Sequence, residues 1–350
     1  MIDLSSFARV RLIHAPTPLE PMERLSSLLG GPRIWIKRDD CTGLSTGGNK
    51  ARKLEFLLAD AVKEGADTIV TAGATQSNHA RQTAAAAARL GLECHLLLWN
   101  MNRFMDRAYV ENGNVLLNRL HGARIHELSG VGATTEIAYL NAEVDRLTKR
   151  LRATGRRPYP IPVGASNALG ALGYVECALE LLSQAKQLRF SIDAIVHKSG
   201  SAGTQAGLVA GLRAAGAGTL VTGIGGGKAP ANLQDVVLRM AEQAAASIGA
   251  PGVVQPGDVT AVDPDPAGYG LLTPPVAEAI QLVARTEGVL LDPVYTGRAM
   301  AALIELIRAG RFARHANVVF IHTGGTASLF GYAEAFEPLR APGTAAAPTD

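Results

Sequence analysis

The feature that most constrains the fold of this chain is a repeated order of short aliphatic run, small polar loop and amphipathic helix. The clearest unit runs from a strand at 67–71 through a loop at 72–79 and an alanine-rich helix to a strand at 92–98. A strand, a crossover helix and a parallel strand fit within about 30 residues. The same order recurs at 192–224 and at 317–326. The pattern predicts an α/β fold with open, mostly parallel sheets.

The glycine content indicates where a ligand binds. The chain of 350 residues contains 38 glycines, which is more than the roughly 7% of an average protein. Many follow the predicted strands and stand beside hydroxyl residues. Ligands of open parallel sheets bind at the carboxyl ends of the strands, and glycine allows the backbone to approach them closely. We therefore expect the site at this edge.

Charge and cysteine usage exclude several classes of protein. The 34 Lys and Arg and the 31 Asp and Glu leave a net charge of +3 without a long basic run, which argues against a nucleic-acid or membrane-surface partner. The cysteines Cys41, Cys94 and Cys177 form no CxxC pair, so neither a disulfide framework nor a metal site is predicted. No export signal or membrane anchor is apparent, which predicts a cytoplasmic protein acting on small molecules.

A compact loop after the predicted strand at 192–197 has the properties of a phosphate site. Its residues are small or carry a hydroxyl: Gly200, Ser201, Ala202, Gly203 and Thr204. Their N–H groups can converge at a helix N-terminus, where the dipole favours an anion. The alternative is a capped strand-to-helix turn. Neither this loop nor the segment Gly225-Gly226-Gly227-Lys228 fits a nucleotide motif, so a smaller phosphate compound is indicated.

Lys50 stands at an unusual place for a lysine. It follows Gly47-Gly48-Asn49 and opens a predicted helix whose apolar positions are Leu54, Leu57, Leu58 and Val62. A cation at the positive end of a helix loses its proton more easily, and a neutral amine can form a Schiff base. The alternative is a solvated surface lysine, and that interpretation is kept for the next lysine, Lys53.

Two further loops offer polar groups to the same edge. Ser77, Asn78 and His79 precede the alanine-rich helix, although a helix cap and a surface histidine are the alternatives. Tyr295 follows Asp292-Pro293-Val294 and is expected to be an exposed ring suited to stacking or proton handling, or else core filling. Together with the lysine and the phosphate loop, these groups are what an enzyme that binds pyridoxal phosphate requires.

The chain resembles the fold-type II, tryptophan-synthase-β-like pyridoxal phosphate enzymes. Within them it is similar to the family of D-cysteine desulfhydrases, L-cysteate sulfo-lyases and 1-aminocyclopropane-1-carboxylate deaminases. The likeness covers nearly the whole chain, from about residue 15 to 330. It is carried by the segments Ile36-Lys37-Arg38-Asp39-Asp40, Gly47-Gly48-Asn49-Lys50, Gln76-Ser77-Asn78-His79, Gly200-Ser201-Ala202-Gly203-Thr204, Asp292-Pro293-Val294-Tyr295-Thr296-Gly297 and His322-Thr323-Gly324-Gly325.

The resemblance implies a role for each of these segments. Lys50 would carry the cofactor, the loop from Gly200 to Thr204 would bind its phosphate, Asn78 its phenolic oxygen and Thr323 its pyridine nitrogen. Ser77, Asn78 and His79 would receive the substrate carboxylate, and Tyr295 would lie near the reacting carbon. The family also implies a homodimer. We expect a large cofactor domain at 1–50 and 161–340, a small domain at 51–160 and a disordered tail at 341–350.

The residue after Tyr295 distinguishes between the substrate classes of this family. The cyclopropane deaminases typically have glutamate after the tyrosine, whereas this chain has Thr296, as in the sulfur lyases. A hydroxyl beside the cofactor would leave the pyridine nitrogen closer to neutral, which suffices for β-elimination. The sequence therefore predicts elimination from a cysteine-like amino acid, L-cysteate or D-cysteine, to pyruvate. The cyclopropane deaminase and a non-catalytic binding protein are the alternatives.

Several positions depart from the family pattern. Ser45-Thr46 stands where Ala-Met is usual, Ala80 where valine is usual, and the segment Gly225-Gly226-Gly227-Lys228 is unfamiliar. Lys198 or Lys228 could favour a sulfonate, although solvated lysines are the simpler interpretation. These departures lie near the expected substrate positions, so the sequence does not determine which leaving group the substrate carries.

Overall fold

The computed structural model describes residues 2–101, 104–128, 137–226, 230–265 and 267–339. The strands are β1 (Leu19–Pro21), β2 (Arg33–Lys37), β3 (Thr68–Ala74), β4 (Glu93–Trp99), β5 (Arg124–Leu128), β6 (Pro158–Pro160), β7 (Ala194–Lys198), β8 (Leu220–Ile224), β9 (Thr260–Val262) and β10 (Asn317–Ile321). The helices are α1 (Glu23–Leu29), α2 (Lys50–Lys63), α3 (Asn78–Arg89), α4 (Arg107–Glu111), α5 (Asn114–Leu120), α6 (Ile137–Ala153), α7 (Ala168–Gln187), α8 (Gly203–Ala214), α9 (Pro230–Ser247), α10 (Pro274–Glu287), α11 (Thr296–Arg308) and α12 (Thr326–Leu329).

The larger sheet has six strands in the order β1-β2-β10-β7-β8-β9. Every neighbouring pair is parallel except β1 with β2 at one edge. The central strands are buried on both faces, as β-branched parallel strands require. Helices α7, α8 and α9 cover one face, and α10 and α11 cover the other. The predicted α/β class with open parallel sheets is confirmed.

The smaller sheet has four parallel strands in the order β5-β4-β3-β6. Helices α2 and α3 pack on one face and α6 packs on the other. All four strands lie between residues 68 and 160, inside the range predicted for the small domain. The division into domains itself stays a prediction, and the tail at 341–350 lies outside the described residues.

Two local predictions are wrong. Residues 72–74 belong to β3 and not to a loop, because they continue the ladder with β4 through Trp99. Val62, expected on the apolar face of α2, is 49% exposed. Among the described residues, no helix is long and apolar enough to cross a membrane.

Helix α2 connects the two sheets, since it packs against α7 of the larger-sheet layer and α3 of the smaller-sheet layer. It is anchored by Arg52, which is fully buried and donates to both carboxylate oxygens of Asp39 at 2.9 and 3.0 Å. Glu180 accepts from the same guanidinium at 3.0 Å, and the Tyr174 hydroxyl donates to Asp39 at 2.5 Å. Burial would raise the pKa of Asp39, but the Arg52 charge lowers it below its usual value. The network fixes the start of α2, where Lys50 stands.

Candidate active site

A cavity of about 240 Å³ lies where the carboxyl ends of strands from both sheets meet the start of α2. Its wall includes most of the predicted site residues: Lys50, Ser77, Asn78, His79, Gly200, Ser201, Ala202, Thr204, Tyr295 and Thr323. Other wall residues come from segments without a sequence motif, among them Tyr269 and Gly164. Five separate segments thus supply polar groups to one concave space, which is the usual form of a small-molecule site.

Lys50 opens α2 after a loop with unusual backbone geometry. Ser45, Thr46, Gly47 and Gly48 have φ values of 43°, 59°, 70° and 131°. A Cβ at Gly47 would lie 1.7 Å from the Asp40 carbonyl oxygen, so only glycine fits there. Burial lowers the pKa of the Lys50 amine to about 8, which makes the amine available as a nucleophile near neutral pH.

Arg81 holds this loop from behind. It is fully buried, and its NH1 group donates to the carbonyl oxygens of Ser45 and, at 2.9 Å, of Gly47. Its Nε donates to Asn114 at 3.2 Å. Burial lowers the pKa of Arg81 to about 9. The departure at Ser45-Thr46 therefore lies in a strained turn that a buried guanidinium stabilises through backbone carbonyls.

Lys53 is fully buried, so its interpretation as a solvated lysine is wrong. It lies one helical turn after Lys50, and its Nζ donates to the Gly164 carbonyl at 3.3 Å and to Ser166 Oγ at 3.1 Å. Burial, together with the Lys50 charge, holds the pKa of Lys53 well below its usual value. A Cβ at Gly203 would lie 2.8 Å from this amine. The phosphate loop and the second lysine are therefore direct neighbours.

The loop from Gly200 to Thr204 has backbone N–H groups that are free to donate to a ligand. The N–H groups of Gly200, Ala202 and Thr204 have no acceptor among the described residues. A Cβ at Gly200 would meet nothing within 4 Å, whereas one at Gly164 would meet Ser201 Oγ at 2.1 Å. Asn49 Nδ2 donates to Thr204 Oγ1 at 2.9 Å, which ties the start of α8 to the residue before Lys50. Convergent N–H groups at a helix start suit a phosphate.

The segment from Ser77 to His79 starts α3 at the opposite wall. The Ser77 hydroxyl caps the helix by accepting from the Ala80 N–H at 3.1 Å. Asn78 is 7% exposed, and its Oδ1 accepts from Asn114 at 2.8 Å. His79 is buried, so the alternative of a surface histidine is wrong. Its Nε2 lies 2.8 Å from Thr71 Oγ1, and its buried Nδ1 has no partner among the described residues.

Tyr295 is half-buried, so its expected exposure is wrong. Its hydroxyl lies 2.6 Å from the Tyr269 hydroxyl, with the two rings edge to face. Burial raises the pKa of Tyr295 above its usual value and keeps the phenol protonated at neutral pH. Tyr269 comes from an irregular segment before α10, where no periodic pattern signals a site residue.

Thr296 does not line the cavity, and its expected contact with a cofactor ring needs correction. Its Oγ1 donates to Asp292 Oδ1 at 2.7 Å and accepts from the Asp292 N–H at 2.8 Å. Asp292 also accepts from the N–H groups of Val294, Tyr295 and Thr296 at 2.8–3.0 Å. The threonine therefore stabilises the turn that presents Tyr295.

Thr323 lines the cavity after β10, and its carbonyl accepts from the Asn49 N–H at 3.0 Å. The following glycines allow two close approaches. A Cβ at Gly324 would lie 2.7 Å from Gly48 Cα, and one at Gly325 would lie 2.6 Å from Asp292 and 2.9 Å from Asn78 Nδ2. The first of these contacts brings the end of β10 close to the start of α2.

The donor set fits pyridoxal phosphate. The free N–H groups at 200–204 and the buried Lys53 amine suit its phosphate, and the Lys50 amine suits its aldehyde. Asn78 and Thr323 stand in the same wall as candidates for the ring's oxygen and nitrogen. Among the described residues, no cluster of three or more His, Cys, Asp or Glu could hold a metal ion.

Known proteins with similar sequence and structure point to the same chemistry. A family model described as "Pyridoxal-phosphate dependent enzyme" matches residues 10–324. The D-cysteine desulfhydrase of Klebsiella pneumoniae (strain 342) is 46% identical over 331 residues, which are 94% of this chain and 98% of that protein. The D-cysteine desulfhydrase of Salmonella typhi is 46% identical over 330 residues, with 94% and 97% covered. A crystal structure of an ACC deaminase homologue superposes with a TM-score of 0.86 at 36% identity, covering 96% of this chain and 97% of that one.

Proposed function

Because this chain belongs to the family of pyridoxal-phosphate dependent enzymes, we propose that it is a carbon–sulfur lyase that releases the sulfur group of a cysteine-like amino acid. The products are pyruvate, ammonium and the sulfur anion: sulfide from D-cysteine or sulfite from L-cysteate. The identity with D-cysteine desulfhydrases favours the first substrate. The second is favoured by the segments Arg38-Asp39-Asp40-Cys41-Thr42-Gly43-Leu44 and Glu111-Asn112-Gly113-Asn114-Val115-Leu116-Leu117, which resemble those of L-cysteate sulfo-lyases. The single observation that carries the proposal is one cavity holding Lys50, the phosphate loop and Ser77–His79.

The reaction breaks the Cα–H and Cβ–S bonds. Pyridoxal phosphate, when bound, supplies the electron sink that makes the Cα proton acidic. Lys50 would hold the cofactor through Nζ, and its free amine would accept the Cα proton. Its lowered pKa of about 8 suits a general base near neutral pH. The sulfur leaves with the Cβ–S electron pair, and water hydrolyses the released aminoacrylate to pyruvate and ammonium.

The other wall residues orient the substrate and the cofactor. We assign the substrate carboxylate to the start of α3 at Ser77, Asn78 and His79, where the helix dipole favours an anion. Asn78 and Thr323 hold the cofactor ring, and residues 200–204 with Lys53 hold the phosphate. The protonated Tyr295 phenol, paired with Tyr269, donates a hydrogen bond near the reacting carbon. A cytoplasmic homodimer is part of the same proposal.

A panel of amino acids tests the proposal. The cofactor-loaded protein is incubated with D-cysteine, L-cysteine, L-cysteate and 1-aminocyclopropane-1-carboxylate, and the oxo acid and sulfur product are quantified. We expect equal amounts of pyruvate and either sulfide or sulfite. Formation of 2-oxobutyrate from the cyclopropane amino acid alone would establish the deaminase instead. Binding without any oxo acid would establish a non-catalytic protein.

A further inference from the structure

Lys198 is buried in the cavity wall, contrary to its interpretation as a solvated lysine. It is the last residue of β7 and is 9% exposed. Its Nζ donates to the Ile224 carbonyl at 3.0 Å and to the Gly225 carbonyl. Among the described residues, this amine forms no direct ion pair, although the charges of Asp263, Asp292 and Asp265 act on it from farther away. An ammonium has three N–H donors, and two are used, so one is left for a group in the cavity.

The start of the unfamiliar glycine segment, Gly225 and Gly226, packs directly against the Lys198 amine. A Cβ at Gly226 would lie 2.7 Å from Lys198 Nζ and 3.7 Å from Arg298 NH1. Any larger residue would therefore displace the amine. Gly225 contributes the carbonyl that accepts from it. Gly227 and Lys228 lie outside the described residues. The absence of side chains at Gly225 and Gly226 thus leaves space for the Lys198 amine at the end of β8.

The Lys198 amine, two residues before the phosphate loop, bonds to different groups from those at the two other anion sites. The phosphate loop packs against Gly164, Ser166 and Lys53, whereas Lys198 Nζ lies at the end of β8. The proposed carboxylate site is at the start of α3, on the smaller sheet. A cavity with a third anion-accepting position suits an amino acid with a second acidic group.

We propose that Lys198 is a specificity-determining residue that binds an acidic group on the substrate β-carbon, so that the enzyme favours a sulfonate or sulfinate over a thiol. The inference rests on the proposed lyase function and names its substrate class. Arg298 lies behind the amine, held by the carbonyls of Ala267, Gly268 and Leu271 at 2.8–3.1 Å, and its charge is partly balanced by Asp265 at 3.9 Å. Burial lowers the pKa of Lys198 to about 7, and a bound anion would draw it toward the protonated form.

The test compares charged and uncharged leaving groups in the cofactor-loaded enzyme. Lys198→Gln keeps one donor for the Gly225 carbonyl, Lys198→Met keeps the length, and Lys63→Gln on the exposed end of α2 is the matched control. We expect both Lys198 variants to lose about 10- to 100-fold in kcat/KM for L-cysteate, mainly through KM, as for a lost hydrogen bond to a charged group. Turnover of β-chloroalanine, whose leaving group is uncharged on the substrate, should change by less than about 3-fold. Gly226→Ala should lower L-cysteate turnover in the same direction.

Binding without turnover gives an independent result. Aspartate carries an acidic group on Cβ that does not leave, and alanine lacks it. We expect Lys198→Gln to weaken aspartate binding about 10-fold or more, with alanine unchanged. Equal losses on charged and uncharged substrates, or weaker cofactor binding, would overturn the assignment in favour of a structural or phosphate-binding lysine. If no sulfur amino acid yields an oxo acid, the lyase proposal fails, and the aspartate–alanine comparison still decides the role of Lys198.

Discussion

Replacing Lys53 with methionine tests the phosphate site, because the variant should bind pyridoxal phosphate more weakly without losing stability as the apoprotein. The amine is fully buried beside the 200–204 loop, donates to the Gly164 carbonyl and to Ser166 Oγ, and interacts with the Lys50 amine. If it contacts the cofactor phosphate, the variant loses a hydrogen bond between charged groups, which contributes about 1.5–3 kcal/mol. At 1.36 kcal/mol per tenfold change, the dissociation constant for pyridoxal phosphate should rise about 10- to 150-fold.

The stability of the cofactor-free protein should not fall in the same variant. Burying this amine without a counter-ion is costly and lowers its pKa, so its removal should leave the free energy of unfolding unchanged or raise it. Titration of the apoprotein with cofactor, followed by visible absorbance, measures the first effect, and urea unfolding measures the second. Lys63→Met on the same helix is the control. Unchanged cofactor affinity together with a loss of about 2 kcal/mol in apoprotein stability would refute the reasoning, because Lys53 would then be structural.

Two further predictions concern helix α2. Asp39→Asn leaves Arg52 buried with a weaker partner and should lower the free energy of unfolding by about 3–5 kcal/mol at pH 7; an equally stable variant would contradict this. Because the folded-state pKa of Asp39 is lowered, its contribution is present above about pH 4 and is lost as the pH falls further, so urea midpoints of the two proteins should converge in acid. The rate of cofactor capture by the apoprotein should rise with pH up to about 8, where Lys50 becomes neutral, and then level off. A stopped-flow rate that is independent of pH between about 6 and 8 would be incompatible with Lys50 as the nucleophile.

The family and the fold class could be predicted because their signals are local. The family relationship predicted from the motifs is confirmed by the match over residues 10–324 and by 46% identity to D-cysteine desulfhydrases. The position of Lys50 at a helix start and the loop after β7 follow from glycine placement and periodicity. Most predicted site residues line one cavity, although their roles stay predictions.

The errors have a common physical cause, which is that local sequence does not reveal burial. Lys53 stands one turn from Lys50 on the same helix face, a signal that was available, yet the isolated residue type favours a solvated position. Lys198 is buried only because Gly225 and Gly226, distant in sequence, make room for it. Thr296 turns toward Asp292 through a hydrogen bond that the motif alone does not specify.

We propose that Lys50 carries the cofactor, although Lys198 also lines the cavity and Lys53 lies one helical turn from Lys50. Reduction of the cofactor-loaded protein with borohydride makes the attachment permanent, and peptide mass spectrometry then locates it. We expect a single phosphopyridoxyl group on Lys50. A label on Lys53 or Lys198 would contradict it.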